Sequence, residues 1–292
     1  MMKISNYFSE SQVLRDVEIS ITHYANSFIK GTCCFVLNEG FLTQANKNPC
    51  ITAVITNKKL APQVDKNKGL IISESPQKDY YLLHNFMYKN NFFIPQESYL
   101  GSNCEIASTA IIGDNVHIGD NVHIGEHVII TSNSYIGNNS YIDSRAIIGA
   151  RGLHNSVVNK ESIFVHDAGG VRIGDNCEIL AGAIIQKSYH YEQTVIANHV
   201  KIGPQVNIGH GSTIGSYTLV AGSAQVAGYV TIGEEVWVGP SCSIAHNISI
   251  GDRANLKIGS IVVNNIQADE SVSGNFAYNH IKRIRNFVQL KQ

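Results

Sequence analysis

Ile112-Gly113-Asp114-Asn115-Val116-His117, Ile118-Gly119-Asp120-Asn121-Val122-His123 and Ile124-Gly125-Glu126-His127-Val128-Ile129 are one six-residue phrase written three times in succession. The aliphatic beat begins at Ile106 and holds through Ile130, Ile136 and Ile142 to Ile148. It resumes at Ile173, Ile179 and Ile185, then runs from Ile196 through Ile202, Ile208, Ile214, Val220, Val226, Ile232, Val238, Ile244, Ile250 and Leu256 to Val262. Neither the helical period of 3.6 nor the strand period of 2 puts one aliphatic residue at every sixth position, so the pattern predicts a repeat architecture in which each hexad is a short strand and a turn.

The phrase resembles that of the hexapeptide-repeat acyltransferases, and the resemblance covers roughly residues 100 to 265. It implies a left-handed parallel β-helix of triangular cross-section with three hexads per coil. In such a rod the aliphatic residue points inward, and Gly or Asn fills the tight corner, where positive φ costs those residues little. Coils stack about 4.8 Å apart. The interior holds little chemistry, so function belongs to the outer faces, to loops, or to the space between rods. Two breaks in the beat therefore stand out. One spans residues 149 to 172, from Gly149-Ala150-Arg151-Gly152-Leu153-His154 to His166-Asp167-Ala168-Gly169-Gly170, and the other spans Gln186 to Thr194. Each predicts a loop that walls a pocket, with a neighbouring subunit as the opposite wall.

At 292 residues the chain exceeds one ordinary domain. The expected division is a small α/β domain over 1–98, the β-helix over 99–265, and a C-terminal cap or tail over 266–292. A formal charge of -1 with 15% charged residues argues against a nucleic-acid-binding surface. No stretch reads as a signal peptide or a membrane span, which predicts a soluble, cytoplasmic protein. The six cysteines include the adjacent pair Cys33 and Cys34 and no C-x-x-C spacing, and they are expected to be inert thiols.

With eighteen residues per coil, positions eighteen apart stack on one face. His210, Gly228, His246 and Asn264 form such a column, with the two imidazoles expected roughly 10 Å apart at about 4.8 Å per coil. The glycine leaves a notch with an accessible N–H beneath a histidine, the two parts that acyl transfer from a thioester needs: a base for the attacking nucleophile and a donor for the oxyanion. In hexapeptide acyltransferases of lipid A synthesis a histidine is the base and a glycine one coil later is the donor, and His210 with Gly228 matches that arrangement. His117 and His123 are only six apart, hence on adjacent faces, and are expected to face solvent.

Ahead of the rod, apolar runs at Ala53-Val54-Ile55 and Leu70-Ile71-Ile72 and a helical stretch near Tyr80 to Met87 predict the α/β domain. The order of these elements behind Phe35-Val36-Leu37-Asn38-Glu39-Gly40-Phe41 resembles the uridine-binding domain of the UDP-3-O-acylglucosamine N-acyltransferase family. There an aromatic, an asparagine and an aromatic spaced by threes hold the uracil, and Phe35, Asn38 and Phe41 match that spacing. An aromatic face supplies stacking, and an amide supplies donor and acceptor. The chain departs from the family at Gln186 to Gln193, where Tyr189, His190 and Tyr191 stand, at Gly203-Pro204, and in ending soon after Asn279-His280-Ile281-Lys282-Arg283-Ile284-Arg285 without a long terminal helix. The basic residues Lys282, Arg283, Arg285 and Lys291 suit either phosphate contact or a solvated cap.

Together these features predict an N-acyltransferase that moves an acyl group from acyl-CoA or acyl carrier protein to the amine of a nucleotide-linked amino sugar in surface polysaccharide or lipopolysaccharide synthesis. His210 is the expected base and Gly228 the oxyanion donor; Phe35, Asn38, Phe41, His246, Tyr189 and His190 are expected to bind substrate. The resemblance implies a homotrimer, with the acyl carrier as co-substrate and no bound metal or redox cofactor. The competing readings are the lipid A enzyme itself, a metal-dependent carbonic anhydrase, which needs three converging histidines, and a non-catalytic β-helix assembly module.

Overall fold

The computed structural model describes the chain apart from residues 94, 154, 275, 276, 278, 283–288 and 290–292. Arg283, Arg285 and Lys291 of the basic tail lie outside the described residues; Lys282 is helical, as are 280, 281 and 289.

From Tyr99 to Val272 the chain is a rod of three parallel sheets of eight, eight and nine strands. Face one carries Ile111–Ile112, Ile129–Ile130, Ile147–Ala150, Ile184–Gln186, Asn207–Ile208, Gln225–Val226, Ser243–Ile244 and Ile261–Val262. Face two runs from Tyr99–Leu100 to Ser249–Ile250, and face three from Glu105–Ile106 to Ser271–Val272. The beat residues form one continuous buried core, Ile118 through Val262, because each inward aliphatic packs on the residue one coil above and below. Strand pairing follows the count of eighteen, as in Ile208 with Val226 and Val226 with Ile244.

Both breaks leave that pairing intact. Ile148 pairs with Ile185 and Ile185 with Ile208, so separations of 37 and 23 replace eighteen and the excess chain is extruded. The corners hold a departure from expectation. Positive φ falls on Asn at many corners, as expected, and on Gly211 and Gly259, but also on His127, Arg145, Tyr217 and Tyr229; the Gly directly after the aliphatic has it only at Gly149 among the described residues. The glycine is there for closeness: a Cβ at Gly119 would stand 2.5 Å from Asn138 Oδ1 of the next coil.

The N-terminal layer is a five-stranded sheet in the order Val13–Arg15, Gly69–Ile72, Ile51–Thr56, Thr32–Phe35, Ile21–Thr22, the last four parallel and the first antiparallel. Helix α1, Glu39–Lys47, packs Leu42 and Ala45 on one side; helix α2, Pro76–Lys89, packs Tyr80, Leu83 and Met87 on the other. With both faces covered, successive residues of the three central strands are mostly buried, whereas Leu14 on the edge strand is exposed. Cys33 and Cys34 thus enter opposite cores as free thiols.

The extruded segments do not project. The first forms an antiparallel hairpin, Asn155–Val158 with Glu161–Phe164. Val158, Ile163 and Val165 join the core of α2, Asn85 Nδ2 donates to Phe164 O at 2.6 Å, and the His166 ring stacks on Tyr88 at 4.6 Å. The second carries Tyr189 into the same core. Both breaks therefore join the rod to the N-terminal layer, and residues of both, Ala168 to Gly170 and Tyr191 to Gln193, also line a cavity beside Tyr99 and His117.

Candidate active site

His210 follows the inward Ile208 by two and stands at the corner after face one; Gly228 and His246 follow Val226 and Ile244 in the same way. The column is real, but its notch is filled. The His210 ring folds over Gly228, which is buried, and the imidazoles of His210 and His246 have centroids 6.2 Å apart instead of roughly 10 Å, since no side chain at 228 keeps them separate. At the equivalent place on other corners the N–H is capped by the next coil, as Asp120 N–H is by Asn138 Oδ1 at 2.8 Å and Glu234 N–H by Asp252 Oδ1 at 2.9 Å. Among the described residues no acceptor takes the Gly228 N–H.

Around His210 stand Tyr229, edge-on at 5.1 Å, and Tyr189, edge-on at 6.2 Å. Burial, aided by the nearby His246, drives the His210 imidazole down to about 4, while Glu192 opposes the shift. It is neutral at pH 7, the form that accepts a proton. Burial also pushes the phenols of Tyr229 and Tyr189 up, so both remain neutral donors.

The Phe35-x-x-Asn38-x-x-Phe41 stretch lies at the carboxyl end of the Thr32–Phe35 strand and the start of α1, the edge of a parallel sheet where ligands characteristically bind. Phe35 is half-buried against Tyr80 at 4.9 Å, and Phe41 is 56% exposed. Asn38 has a second occupation: its Oδ1 caps α1 by accepting the Phe41 N–H at 3.0 Å, which leaves the Nδ2 donors to a ligand. A cavity of about 430 Å³ joins Phe35, Asn38 and Phe41 to Tyr24, Tyr229 and His246. One cavity thus brings the Phe35–Asn38–Phe41 stretch together with residues beside the His210–Gly228 pair.

Tyr189 and His190 do not wall that cavity. Both are buried, and His190 is held between Tyr80 Oη at 2.6 Å and Tyr229 Oη at 3.0 Å. Behind them, His23 Nε2 and Glu192 Oε2 are 2.9 Å apart. His23, His190 and Glu192 bring three potential ligand atoms within 4.8 Å, yet their bonds mark a hydrogen-bond network. His23 Nδ1 accepts the Tyr24 N–H at 2.8 Å, so Nε2 carries the proton and donates it to Glu192. His23, Tyr24, Glu192 and Tyr229 were not singled out by sequence; Tyr229's place directly after Gly228 is the one signal that points to it.

His117 and His123 lie on faces two and three, as their spacing predicts, but neither simply faces solvent. His117 is sandwiched between Tyr99 at 4.7 Å and Tyr135 at 4.4 Å, and Arg172 continues the pile 3.9 Å from the Tyr135 ring; His123 stacks on Tyr141 at 4.6 Å.

Comparison with known proteins agrees with this architecture. The bacterial transferase hexapeptide model (six repeats) matches residues 97–132 and 109–144, and the model for the hexapeptide repeat of succinyl-transferase matches 155–187. The UDP-3-O-acylglucosamine N-acyltransferase of Herminiimonas arsenicoxydans is 32% identical over 112 residues, 38% of this chain and 32% of that protein. That of Bordetella petrii is 33% identical over 125 residues, 42% of this chain and 34% of that protein. The matches thus span about a third of the length of these curated relatives. Among solved structures, the UDP-N-acetylglucosamine acyltransferase from Campylobacter jejuni aligns with TM-score 0.53 and 22% identity over 67% of this chain and 79% of that one. That likeness shows the fold: the rod is a left-handed parallel β-helix built of hexapeptide repeats.

Proposed function

We propose that this hexapeptide-repeat chain is an N-acyltransferase, carrying an acyl group from acyl-CoA or acyl carrier protein to the amine of a nucleotide-linked amino sugar. The observation that carries the reading is the cavity in which Phe35, Asn38 and Phe41 meet Tyr229 and His246, one coil from Gly228. Residues 1–98 hold the nucleotide, with the base between the exposed Phe41 and Phe35 and its carbonyl edge toward Asn38 Nδ2. Neutral His210 takes the proton as the amine attacks the thioester carbonyl. The unclaimed Gly228 N–H donates to the oxyanion, a contribution of roughly 10²- to 10³-fold when such a donor is removed. Collapse of the intermediate expels the thiolate, which recovers the proton from His210; the products are an amide and a free thiol.

The relatives named above favour UDP-3-O-acylglucosamine as acceptor, which makes the lipid A step the second specific form of this reading. The co-substrate is cytoplasmic and so is the proposed reaction. No helix among the described residues is long and apolar enough to cross a membrane. The proposed assembly is a homotrimer of rods. A panel of acyl-CoAs and acyl carrier thioesters against UDP-linked amino sugars, read by thiol release and mass spectrometry, tests the reading. An N-acylated nucleotide sugar supports it, and no product with any pair overturns it.

A further inference from the structure

We infer that Glu192 is a positioning residue for the base, a carboxylate that the second break in the repeat delivers beside Gly211, the residue after His210, where its charge favours the imidazolium formed when the proton is taken. The inference rests on His210 being the base of the proposed reaction. Glu192 lies in the excess chain between Ile185 and Ile196, which no hexad requires. Both of its oxygens are held: Oε2 accepts from His23 Nε2–H at 2.9 Å, and Oε1 from the buried Ser188 hydroxyl at 2.9 Å.

The carboxylate closes on the chain directly after His210. A Cβ at Gly211 would stand 3.2 Å from Glu192 Oε1 and 2.6 Å from the Tyr229 ring, so residue 211 has no room for a side chain. The groups that face His210 come from three elements. Tyr229, at the Gly228 corner, and Tyr189, in the loop, are neutral phenols. His246, one coil farther on face one, lowers the affinity of His210 for a proton, and Glu192 raises it. Glu192 is 26% exposed on its side chain, so its field is only partly screened by water. Its anchor His23 belongs to the N-terminal layer, next to Tyr24 at the nucleotide cavity. The layer that binds the nucleotide also holds the charge that supports the base.

The test reads His210 without requiring turnover. Histidine labelled at 13Cε1 is titrated by NMR in the full chain, with the His210 signal assigned by its loss in His210→Asn. A His246→Ala background lifts the midpoint by removing the neighbour that disfavours protonation of His210, and keeps the titration within the folded range. In that background Glu192→Gln is expected to move the His210 midpoint down by about half a pH unit or more, a threefold loss in proton affinity, and Glu192→Asp by less. An unmoved midpoint in a folded variant overturns the inference. If Glu192→Gln fails to fold, Glu192→Asp decides alone: a downward move supports the inference and none overturns it. In the acyl-transfer assay the acid limb of kcat/KM should move the same way in Glu192→Gln, which a merely structural residue would not produce. A wild-type chain that acylates nothing sinks the proposed function but leaves the titration to decide Glu192.

Discussion

The imidazole of His210 lies against Gly228 so closely that a methyl group on residue 228 would stand 2.5 Å from both Cε1 and Nε2 of the ring. Gly228 is not among the residues with positive φ, so it is the ring, and not the backbone conformation, that requires glycine. The pair is a unit in which each member limits what the other can be.

Gly228→Ala is therefore expected to displace the His210 ring while the backbone stays in place. Acyl transfer should fall by about 10²-fold or more, with the unclaimed N–H still present but the base moved from it. Thermal denaturation should show a loss of only a few degrees; an active Gly228→Ala enzyme would break the assignment.

His210→Ala removes the base itself and should lower kcat by about 100-fold or more with little change in KM for the nucleotide sugar. Near-normal turnover in a steady-state assay would exclude the role.

The aromatic clamp can be separated from its structural duties. Phe41 is exposed, so Phe41→Ala should raise KM for the nucleotide sugar about tenfold and leave Tm unchanged. Asn38→Asp keeps an oxygen for the α1 cap but gives up the amide donors; it should weaken nucleotide binding without the ~1 kcal/mol stability loss expected of Asn38→Ala. Isothermal titration with UDP alongside urea denaturation distinguishes the two effects.

Acid sensitivity should trace to His84. It is fully buried, Nδ1 sits 2.7 Å from Thr22 Oγ1 and Nε2 2.8 Å from the carbonyl of His166, and burial lowers its imidazole from 6.5 to about 4. The unfolded chain binds this proton first, so stability is complete above pH 6.5 and is lost as pH falls toward about 4, by on the order of 3 kcal/mol. Urea midpoints at pH 7 and pH 5 should differ strongly in the wild type and by clearly less in His84→Gln, part of the remaining difference coming from His210, whose imidazole is also lowered to about 4. Equal slopes would remove His84 from the account.

The rod was legible because its rule is local and repeated: Ile208, Val226 and Ile244 meet as the count of eighteen requires, and each hexad restates the inward aliphatic. Counting also predicts which residues share the His210 corner. It says nothing of how a ring leans, and so the notch was expected to be open although His210 fills it. Tyr189 and His190 read as loop residues because their neighbours are polar; their burial comes from α2 and the N-terminal sheet, contacts more than a hundred positions away in sequence that no local period encodes. His23 and Glu192 are 169 residues apart and carry no shared motif. Phe35 and Phe41 were readable from spacing, whereas the capping duty of Asn38 becomes visible only once α1 is seen to begin there.

The pairing of Ile148 with Ile185 and of Ile185 with Ile208 across unequal lengths of chain means that this rod can grow in sequence without growing in space. A segment spliced in at a corner, whatever its length, leaves the strands above and below where they were. The stacking of the rod is thereby separate from the contents of its insertions: the segment between Ile185 and Ile196 brings Tyr189 and Glu192 to the His210 corner without disturbing the strand pairing that sets His210 over Gly228.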